Sequence, residues 1–240
     1  MTTASIDRPL TIALAMSTLA VLGLWSSRSW RRKRMCRREE GIVMQGLVAQ
    51  SSPGPRAYRR ICLPWDESKL AFTVDAVLNA DECAALRARS EAAGFSPSPM
   101  APLQKGHRAR FDDGATAKLI FERLRGFLPP VWRRSELVGL TPTFRFIRYC
   151  TGDEVLPHPD TSGGDRHTPV SDPSCSYFTC LLNLNDAYDG CETHLLPSWA
   201  NSRLDLWPKS CASDGLRVAP GTGRALVFEH DVVHGTCFFF

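Results

Sequence analysis

The sequence predicts a mainly β fold with flanking helices, an α+β arrangement, behind an apolar N-terminal segment. In the second half of the chain, several runs alternate apolar and polar residues with a period of two, as strands do. Two segments between 79 and 128 carry helix signals. The chain has 240 residues, of which 43% are hydrophobic and 22% charged, so it can bury a sizeable core.

The first element is an apolar run over residues 9–27 that contains no charged side chain. As a helix it would be roughly 28 Å long, close to the thickness of a bilayer core. Basic residues are concentrated after the run, between 28 and 38, with only Arg8 before it. The positive-inside rule then predicts a single-pass transmembrane helix with the folded domain in the cytosol. A cleaved signal peptide and a domain in the endoplasmic reticulum lumen are the alternative.

Composition divides the chain into a membrane anchor with a basic flank (1–40), a linker rich in Ser, Pro and Gly (41–62) and one folded domain (63–240). The formal net charge of +4 comes from the head, because residues 1–40 contain eight basic and three acidic side chains. The remainder has 21 basic and 22 acidic side chains, which predicts no nucleic-acid partner. Nine cysteines without a CxxC motif favour a reducing compartment.

The elements that open the folded domain follow from turn and cap signals. Residues 72–77 read as a short strand. Asn79, with Glu82 three residues later, predicts a capping box and a helix to about Ala93, closed by Gly94. A second helix is predicted over 115–127, because its apolar positions follow a helical rhythm before two consecutive prolines.

Strands dominate the remainder. Thr143–Tyr149, Tyr177–Asn185 and Arg224–Glu229 are predicted as strands, and the last of these is expected to deliver His234. Alternation places Tyr149 on the face opposite Phe144 and Phe146. Two stretches rich in Gly, Asp, Pro and Ser, 160–176 and 198–216, are predicted as loops.

Three residues predict a metal site. His158 and Asp160 form a His-x-Asp pair, and His234 follows after the last predicted strand. Residues i and i+2 of an extended segment project to the same side, so the pair can face one ion. Two histidines and one carboxylate are the facial triad of non-haem Fe(II) oxygenases, which leaves open positions for a cosubstrate and O2. The sequence therefore predicts an Fe(II) site.

The motifs around this triad occur in a fixed order from about Leu63 to Gly235. They are Tyr149–Gly152 with His158 and Asp160, then Tyr177–Asn185, Gly190–Thr193, and Val218–Phe228 leading to His234 and Gly235. In this order and spacing the chain resembles 2-oxoglutarate/Fe(II)-dependent dioxygenases of the prolyl 4-hydroxylase-like group.

The resemblance implies a double-stranded β-helix (jelly roll) and a Tyr149 contact to 2-oxoglutarate. It also implies ascorbate as reductant and hydroxylation of a C–H bond, in a prolyl or other residue of a protein or peptide substrate.

Two positions depart from the pattern of that group. Cys191 stands where its members have a second glycine. Members of the group also carry a Lys or Arg about ten residues beyond the distal histidine, and this cation anchors the far carboxylate of 2-oxoglutarate. This chain ends at Phe240, six residues beyond His234. The expectation is a domain that lacks its last strand or strands and binds 2-oxoglutarate weakly, with Arg145, on the face of Tyr149, as the substitute anchor.

Two other readings of the same residues stay open. A protein that keeps the fold and has lost cosubstrate anchoring would be a catalytically impaired binding protein. His230 and His234 also have the i, i+4 spacing of a zinc hydrolase helix, with Asp231 in place of the glutamate that would follow the first histidine as general base.

Overall fold

The computed structural model describes residues 13–18, 56–101, 103–132, 135–160, 176–187, 190–198 and 215–236. The helices within these ranges are α1 (Ala80–Ala93), α2 (Gly114–Leu124) and a 3-10 turn (Arg125–Phe127). The strands are β1 (Ala13–Thr18), β2 (Tyr58–Arg60), β3 (Ala71–Val74), β4 (Ser96–Pro97), β5 (His107–Asp112), β6 (Val131–Trp132), β7 (Ser135–Glu136), β8 (Thr143–Tyr149), β9 (Val155–His158), β10 (Phe178–Asn183), β11 (Thr193–Leu196), β12 (Leu216–Val218), β13 (Ala225–Glu229) and β14 (Val233–Thr236).

Two sheets form the body of the described fold. The large sheet has eight strands in the order β2-β3-β13-β10-β1-β8-β5-β4, and the small sheet has four in the order β12-β11-β14-β9. Strands β6 and β7 pair separately. The described part of the chain is therefore mainly β with few helices, as the sequence predicts.

Both helices begin and end near the positions that the sequence indicates. Asn79 accepts a hydrogen bond from the backbone N–H of Glu82, and the Glu82 side chain accepts one from the N–H of Asn79, which completes the capping box. Gly94 closes α1 at φ 82°, a backbone conformation that glycine adopts without strain. Asp113 caps α2 through the backbone N–H of Thr116.

The main core lies between these helices and one face of the large sheet, which we call the outer face. Phe144, Phe146 and Phe178 are fully buried there, against Leu86 of α1 and Ile120 of α2. Because side chains alternate along a strand, the neighbours of these residues point to the opposite, inner face. That face packs on the small sheet.

Two apolar clusters lie between the sheets. One contains Leu226 and Phe228 of the large sheet with Leu195 of the small sheet. The other contains Ile147 and Tyr149 of the large sheet with the small-sheet residue Val155, together with Cys191. The inner faces of the two sheets therefore pack on each other through apolar side chains.

The helix predicted over residues 9–27 is wrong where the structure describes that run, because Ala13–Thr18 is a strand. Strand β1 pairs antiparallel with β8 on one side and with β10 on the other. A short apolar run suits a buried central strand as well as a membrane helix, so hydropathy alone cannot separate the two. The rest of 9–27 lies outside the described residues. Neither α-helix of the described ranges is long and apolar enough to cross a bilayer.

The other strand predictions agree closely with the structure. Thr143–Tyr149 is β8, and the predicted strands at 72–77, 177–185 and 224–229 correspond to β3, β10 and β13 with shorter bounds. One detail differs. The strand ending at Glu229 does not carry His234, because the chain turns and His234 lies on a strand of its own, β14. The predicted loops at 160–176 and 198–216 lie mostly outside the described residues.

Candidate metal centre

The two histidines of the predicted triad are brought together by strand pairing in the small sheet. Strands β14 and β9 run antiparallel, and His234 lies directly opposite His158. Their ring centroids are 4.5 Å apart. His234 also contacts the ring of Phe228 on the inner face of the large sheet, at 4.6 Å between centroids, and is buried. The pair therefore lies between the two sheets.

Asp160 follows β9 and completes the cluster. Its carboxylate oxygens lie 3.9 Å from Nε2 of His158 and 3.7 Å from Nε2 of His234. One ligand atom from each of the three residues falls within 4.8 Å of the others. Ligands that share one ion at about 2.0 to 2.3 Å must be this close, so the three side chains can converge on a single cation.

Hydrogen bonds orient each of the three ligands. Nδ1 of His158 lies 2.8 Å from the carbonyl oxygen of Leu156, and Nδ1 of His234 lies 3.1 Å from that of Val232. A ring nitrogen that faces a carbonyl must carry the proton, which leaves Nε2 unprotonated. Thr179 of β10 donates its hydroxyl to Asp160. Both imidazoles therefore present the nitrogen that a metal requires.

The electrostatics of the cluster keep the ligands in their metal-binding forms. Burial lowers the pKa of His234 to about 4, although Asp160 opposes the shift, so this imidazole is neutral at neutral pH. Burial alone would raise the pKa of Asp160. The neighbouring His234, the hydrogen bond from Thr179 and His158 together hold that pKa below its usual range. A carboxylate beside imidazole nitrogens is a suitable donor set for a divalent transition metal.

The residues predicted to contact the cosubstrate occupy the inner face of β8. Tyr149 is buried beside Cys191 and Val155, and it forms a side-chain hydrogen bond with Thr236. Cys191, where the sequence pattern called for glycine, adopts φ 57° just before β11. Arg145 is on the same face, four residues earlier, which is roughly 13 Å along the strand. Its charge interacts with that of Asp160.

A hydrogen-bonded chain that the sequence did not predict leads from strand β5 to the triad. The Arg108 guanidinium donates to Oε1 of Gln104 at 3.0 Å, and Nε2 of Gln104 lies 3.2 Å from Nε2 of His158. Because Nδ1 of His158 carries the proton, its Nε2 accepts from the amide. Gln104 lies in an isolated bridge with Val155 and carries no sequence signal of its own. Only the fold brings it to the histidine.

The zinc hydrolase reading of His230 and His234 is wrong. The two residues lie on either side of a turn between β13 and β14, so they do not share one face of a helix. His230 is buried with Nδ1 3.5 Å from the hydroxyl of Ser176, and burial lowers its pKa. The group of possible metal ligands found among the described residues contains His158, Asp160 and His234, without His230.

Comparison with known proteins gives structural matches alone. No family model matches the sequence, and no curated protein matches it. Six chains of solved structures match, among them a crystal structure of a Pseudomonas putida prolyl-4-hydroxylase. That match has a TM-score of 0.46 and 19% sequence identity, and covers 72% of this chain and 86% of the other. The function therefore has to be argued from the residues of the site.

Proposed function

We propose that the protein is an Fe(II)- and 2-oxoglutarate-dependent dioxygenase that hydroxylates a C–H bond in a prolyl or other residue of a protein substrate. One observation carries the proposal: His158, Asp160 and His234 converge between two β-sheets, with both imidazoles oriented by backbone carbonyls. Two imidazoles and one carboxylate are the donor set that non-haem Fe(II) oxygenases use.

Fe(II) fits this site better than Ca²⁺, Mg²⁺ or a structural zinc ion does. Ca²⁺ and Mg²⁺ prefer oxygen ligands, whereas two of the three donors here are imidazole nitrogens. Structural zinc sites have four protein ligands, and the cluster within the described residues has three. Fe(II) held by three residues would supply O2 activation coupled to oxidative decarboxylation of 2-oxoglutarate, with ascorbate as the reductant that restores the ferrous state.

The protein's own part in this proposal is to bind and orient. Tyr149 offers a hydroxyl between the two sheets, and Arg145 offers a guanidinium near Asp160. We assign both to the cosubstrate, Tyr149 as a hydrogen-bond partner and Arg145 as the cation for its far carboxylate. A guanidinium can hold a carboxylate through charge-assisted hydrogen bonds, so a cation on this face favours binding of a dicarboxylate.

Production of succinate from 2-oxoglutarate tests the proposal. Purified protein with Fe(II), ascorbate and O2 should form succinate, and His234→Ala and Asp160→Ala should abolish this activity. Mn(II) affinity, measured by electron paramagnetic resonance, should fall more than about 100-fold in both variants, since loss of a ligand exceeds the effect of losing a group that only orients one. Glu67→Gln, which changes an exposed carboxylate far from the triad in sequence, is the control.

Two results would contradict the proposal. Mn(II) binding that survives both substitutions would mean that the three residues do not form the metal site. Tight Mn(II) binding without any 2-oxoglutarate turnover would favour a binding protein with this fold. The role of Arg145 is tested separately, because Arg145→Gln should raise the KM for 2-oxoglutarate about 10-fold or more while Mn(II) affinity is retained.

A further inference from the structure

Three arginines share the inner face of the large sheet beside the candidate metal centre. Strands β5 and β8 pair antiparallel, with Arg110 directly opposite Arg145 and Arg108 opposite Ile147. Because side chains alternate along each strand, Arg108, Arg110 and Arg145 all point to the face that Tyr149 occupies. The charges of Arg108 and Arg110 both act on Arg145, as does the charge of Asp160. We call Arg108, Arg110 and Arg145 the arginine surface.

The arginine surface is unlike the other arginines of the described fold. Several of those pair with a carboxylate at 2.5–3.0 Å, namely Arg89, Arg123, Arg148 and Arg224. Among the described residues, no carboxylate forms an ion pair with any arginine of the surface. Like charges directly opposite each other on neighbouring strands also destabilise a sheet. This arrangement is unfavourable for folding, and an anion would relieve it.

A count of formal charges in the proposed centre shows which of the three arginines have no carboxylate assigned to them. The proposed centre contains a divalent cation and the Asp160 carboxylate, and the cosubstrate adds two carboxylates, one of which is assigned to Arg145. The metal charge is then offset by Asp160 and the chelating carboxylate, and Arg145 by the other. Arg108 and Arg110 remain uncompensated. A guanidinium keeps its proton under physiological conditions even where burial lowers its pKa, as it does for Arg108.

We propose that Arg108 and Arg110 bind acidic side chains of the protein substrate, so that the residue to be hydroxylated lies in an acidic segment. This inference rests on the proposed function and adds its substrate class. Arg110 is exposed and Arg108 is half-buried, with one hydrogen bond to Gln104, so both have N–H donors to offer. A guanidinium can engage a carboxylate through two parallel hydrogen bonds.

An acidic peptide suits this surface better than a nucleic acid does. Nucleic-acid binding draws its affinity from many phosphate contacts along an extended basic surface. Residues 41–240 contain 21 basic and 22 acidic side chains, so the domain as a whole offers no such excess. A compact group of arginines can still hold a few carboxylates.

Peptide binding tests the inference with a readout that does not depend on turnover. The protein is loaded with Zn(II), which is redox-inert, and with 2-oxoglutarate. Fluorescence anisotropy then compares a labelled Glu-Glu-Pro-Glu-Glu peptide with its Gln-Gln-Pro-Gln-Gln counterpart. We expect the acidic peptide to bind at least about 10-fold more tightly, and Arg110→Gln and Arg108→Gln each to reduce its affinity about 10-fold or more. Arg125→Gln, at an exposed surface arginine, should have no effect.

Folding and metal binding are measured on the same variants. Arg110→Gln removes a like-charge pair, so its melting temperature should equal or exceed that of the unmodified protein. Its Mn(II) affinity should be equal or slightly higher, because a positive charge near the metal is removed. Loss of peptide affinity in this well-folded variant would support the inference, whereas unchanged affinity would overturn it.

Three other outcomes would also overturn the inference. Equal affinity for the two peptides would show that acidity is not recognised. If Arg108→Gln and Arg110→Gln weaken the binding of 2-oxoglutarate as strongly as they weaken peptide binding, both arginines belong to the cosubstrate site. Tighter binding of a single-stranded oligonucleotide than of the acidic peptide would point to phosphate recognition. Failure of the proposed function is distinguishable, because Mn(II) binding or 2-oxoglutarate turnover would then be absent while the acidic peptide still bound.

Discussion

The two sheets divide the work of the candidate site. The small sheet supplies both histidines, on strands that pair directly, and each is oriented by a carbonyl of its own strand or turn. The large sheet supplies Thr179, Tyr149 and the arginine surface on its inner face, and its outer face carries the main core. In the proposed site, the metal ligands therefore belong mainly to the small sheet, while the groups assigned to recognition belong to a sheet that is stabilised through its other face.

The largest predicted effect is a loss of stability without a loss of metal affinity. It is expected when the ion pair between Arg123 and Glu82, on the outer side of the large sheet, is broken. Arg123 of α2 donates to both carboxylate oxygens of Glu82 at 2.7 and 2.8 Å and to the Val77 carbonyl. Arg123→Gln removes the ion-pair partner of the buried Glu82 carboxylate, which keeps the hydrogen bond from the Asn79 N–H, so the free energy of unfolding should fall by about 3 kcal/mol. Chemical denaturation measures this.

The matched control for Arg123 is a neighbouring exposed pair. Arg125 lies 3.8 Å from Glu122, and both side chains are more than half exposed, so Arg125→Gln should cost under about 1 kcal/mol. In Arg123→Gln protein that is still folded, Mn(II) affinity should match that of the unmodified protein. A parallel loss of metal affinity would show that the outer face and the metal centre are not independent.

The next prediction is that the free energy of unfolding depends on pH because of His234 in the small sheet. Burial lowers the pKa of His234 from its ordinary 6.5 to about 4. The unfolded chain therefore binds a proton as the pH falls below 6.5, while the folded protein does not until about 4. Stability is full above 6.5 and is lost as the pH falls toward 4, by up to about 3 kcal/mol.

Urea unfolding of the metal-free protein between pH 7.5 and about 4.5 measures this loss. In His234→Gln the decrease over this range should shrink, since the substituted amide does not titrate. An unfolding free energy of the unmodified protein that is level across the range would contradict a buried neutral His234.

The sequence predicted those features of the site that are formed by residues close together in the chain, and it missed features that depend on the pairing of distant strands. His158 and Asp160 are two residues apart, so alternation alone predicted that they face one point. The capping box at Asn79 and the alternation of β8 were equally local and are confirmed. The arginine surface was not predicted, although Arg145 was, because it depends on the register between β5 and β8, and β5 was not recognised as a strand.

The wrong prediction at residues 13–18 has a related cause. The hydropathy of an apolar segment predicts that it is removed from water, but it does not predict whether protein or lipid surrounds it. In the structure, β1 lies between β8 and β10, a position that only the assembled sheet defines. Local spacing therefore predicted that His158 and Asp160 face one point, while the groups that surround them required the tertiary fold.

A smaller effect, on metal affinity, is expected from the hydrogen bond between Thr179 of the large sheet and Asp160. Thr179 is 1% exposed and donates its hydroxyl to Asp160. Thr179→Val keeps the shape of the side chain and removes the donor. Loss of a hydrogen bond that orients a ligand typically reduces metal affinity about 10- to 100-fold, and we expect Mn(II) affinity to fall within this range.

Thr73→Val is the matched control, because Thr73 is a buried threonine on the same inner face of the large sheet. It should leave Mn(II) affinity unchanged. Equal effects from Thr73→Val and Thr179→Val would attribute the change to packing between the sheets rather than to the orientation of Asp160.

The smallest expected effect has the opposite sign and concerns Gln104. Its amide Nε2 lies 3.2 Å from Nε2 of His158, the nitrogen that faces the metal position, so metal binding must break this contact. A neutral hydrogen bond contributes about 0.5 to 1.5 kcal/mol, and its removal in Gln104→Ala should tighten Mn(II) binding about 2- to 12-fold. Gln104→Glu is the informative partner, because a carboxylate cannot donate to this nitrogen and would attract the cation. It should tighten Mn(II) binding further. Weaker binding in Gln104→Ala would mean that the glutamine positions His158 for the metal, and that the large sheet contributes to metal binding as well as to recognition.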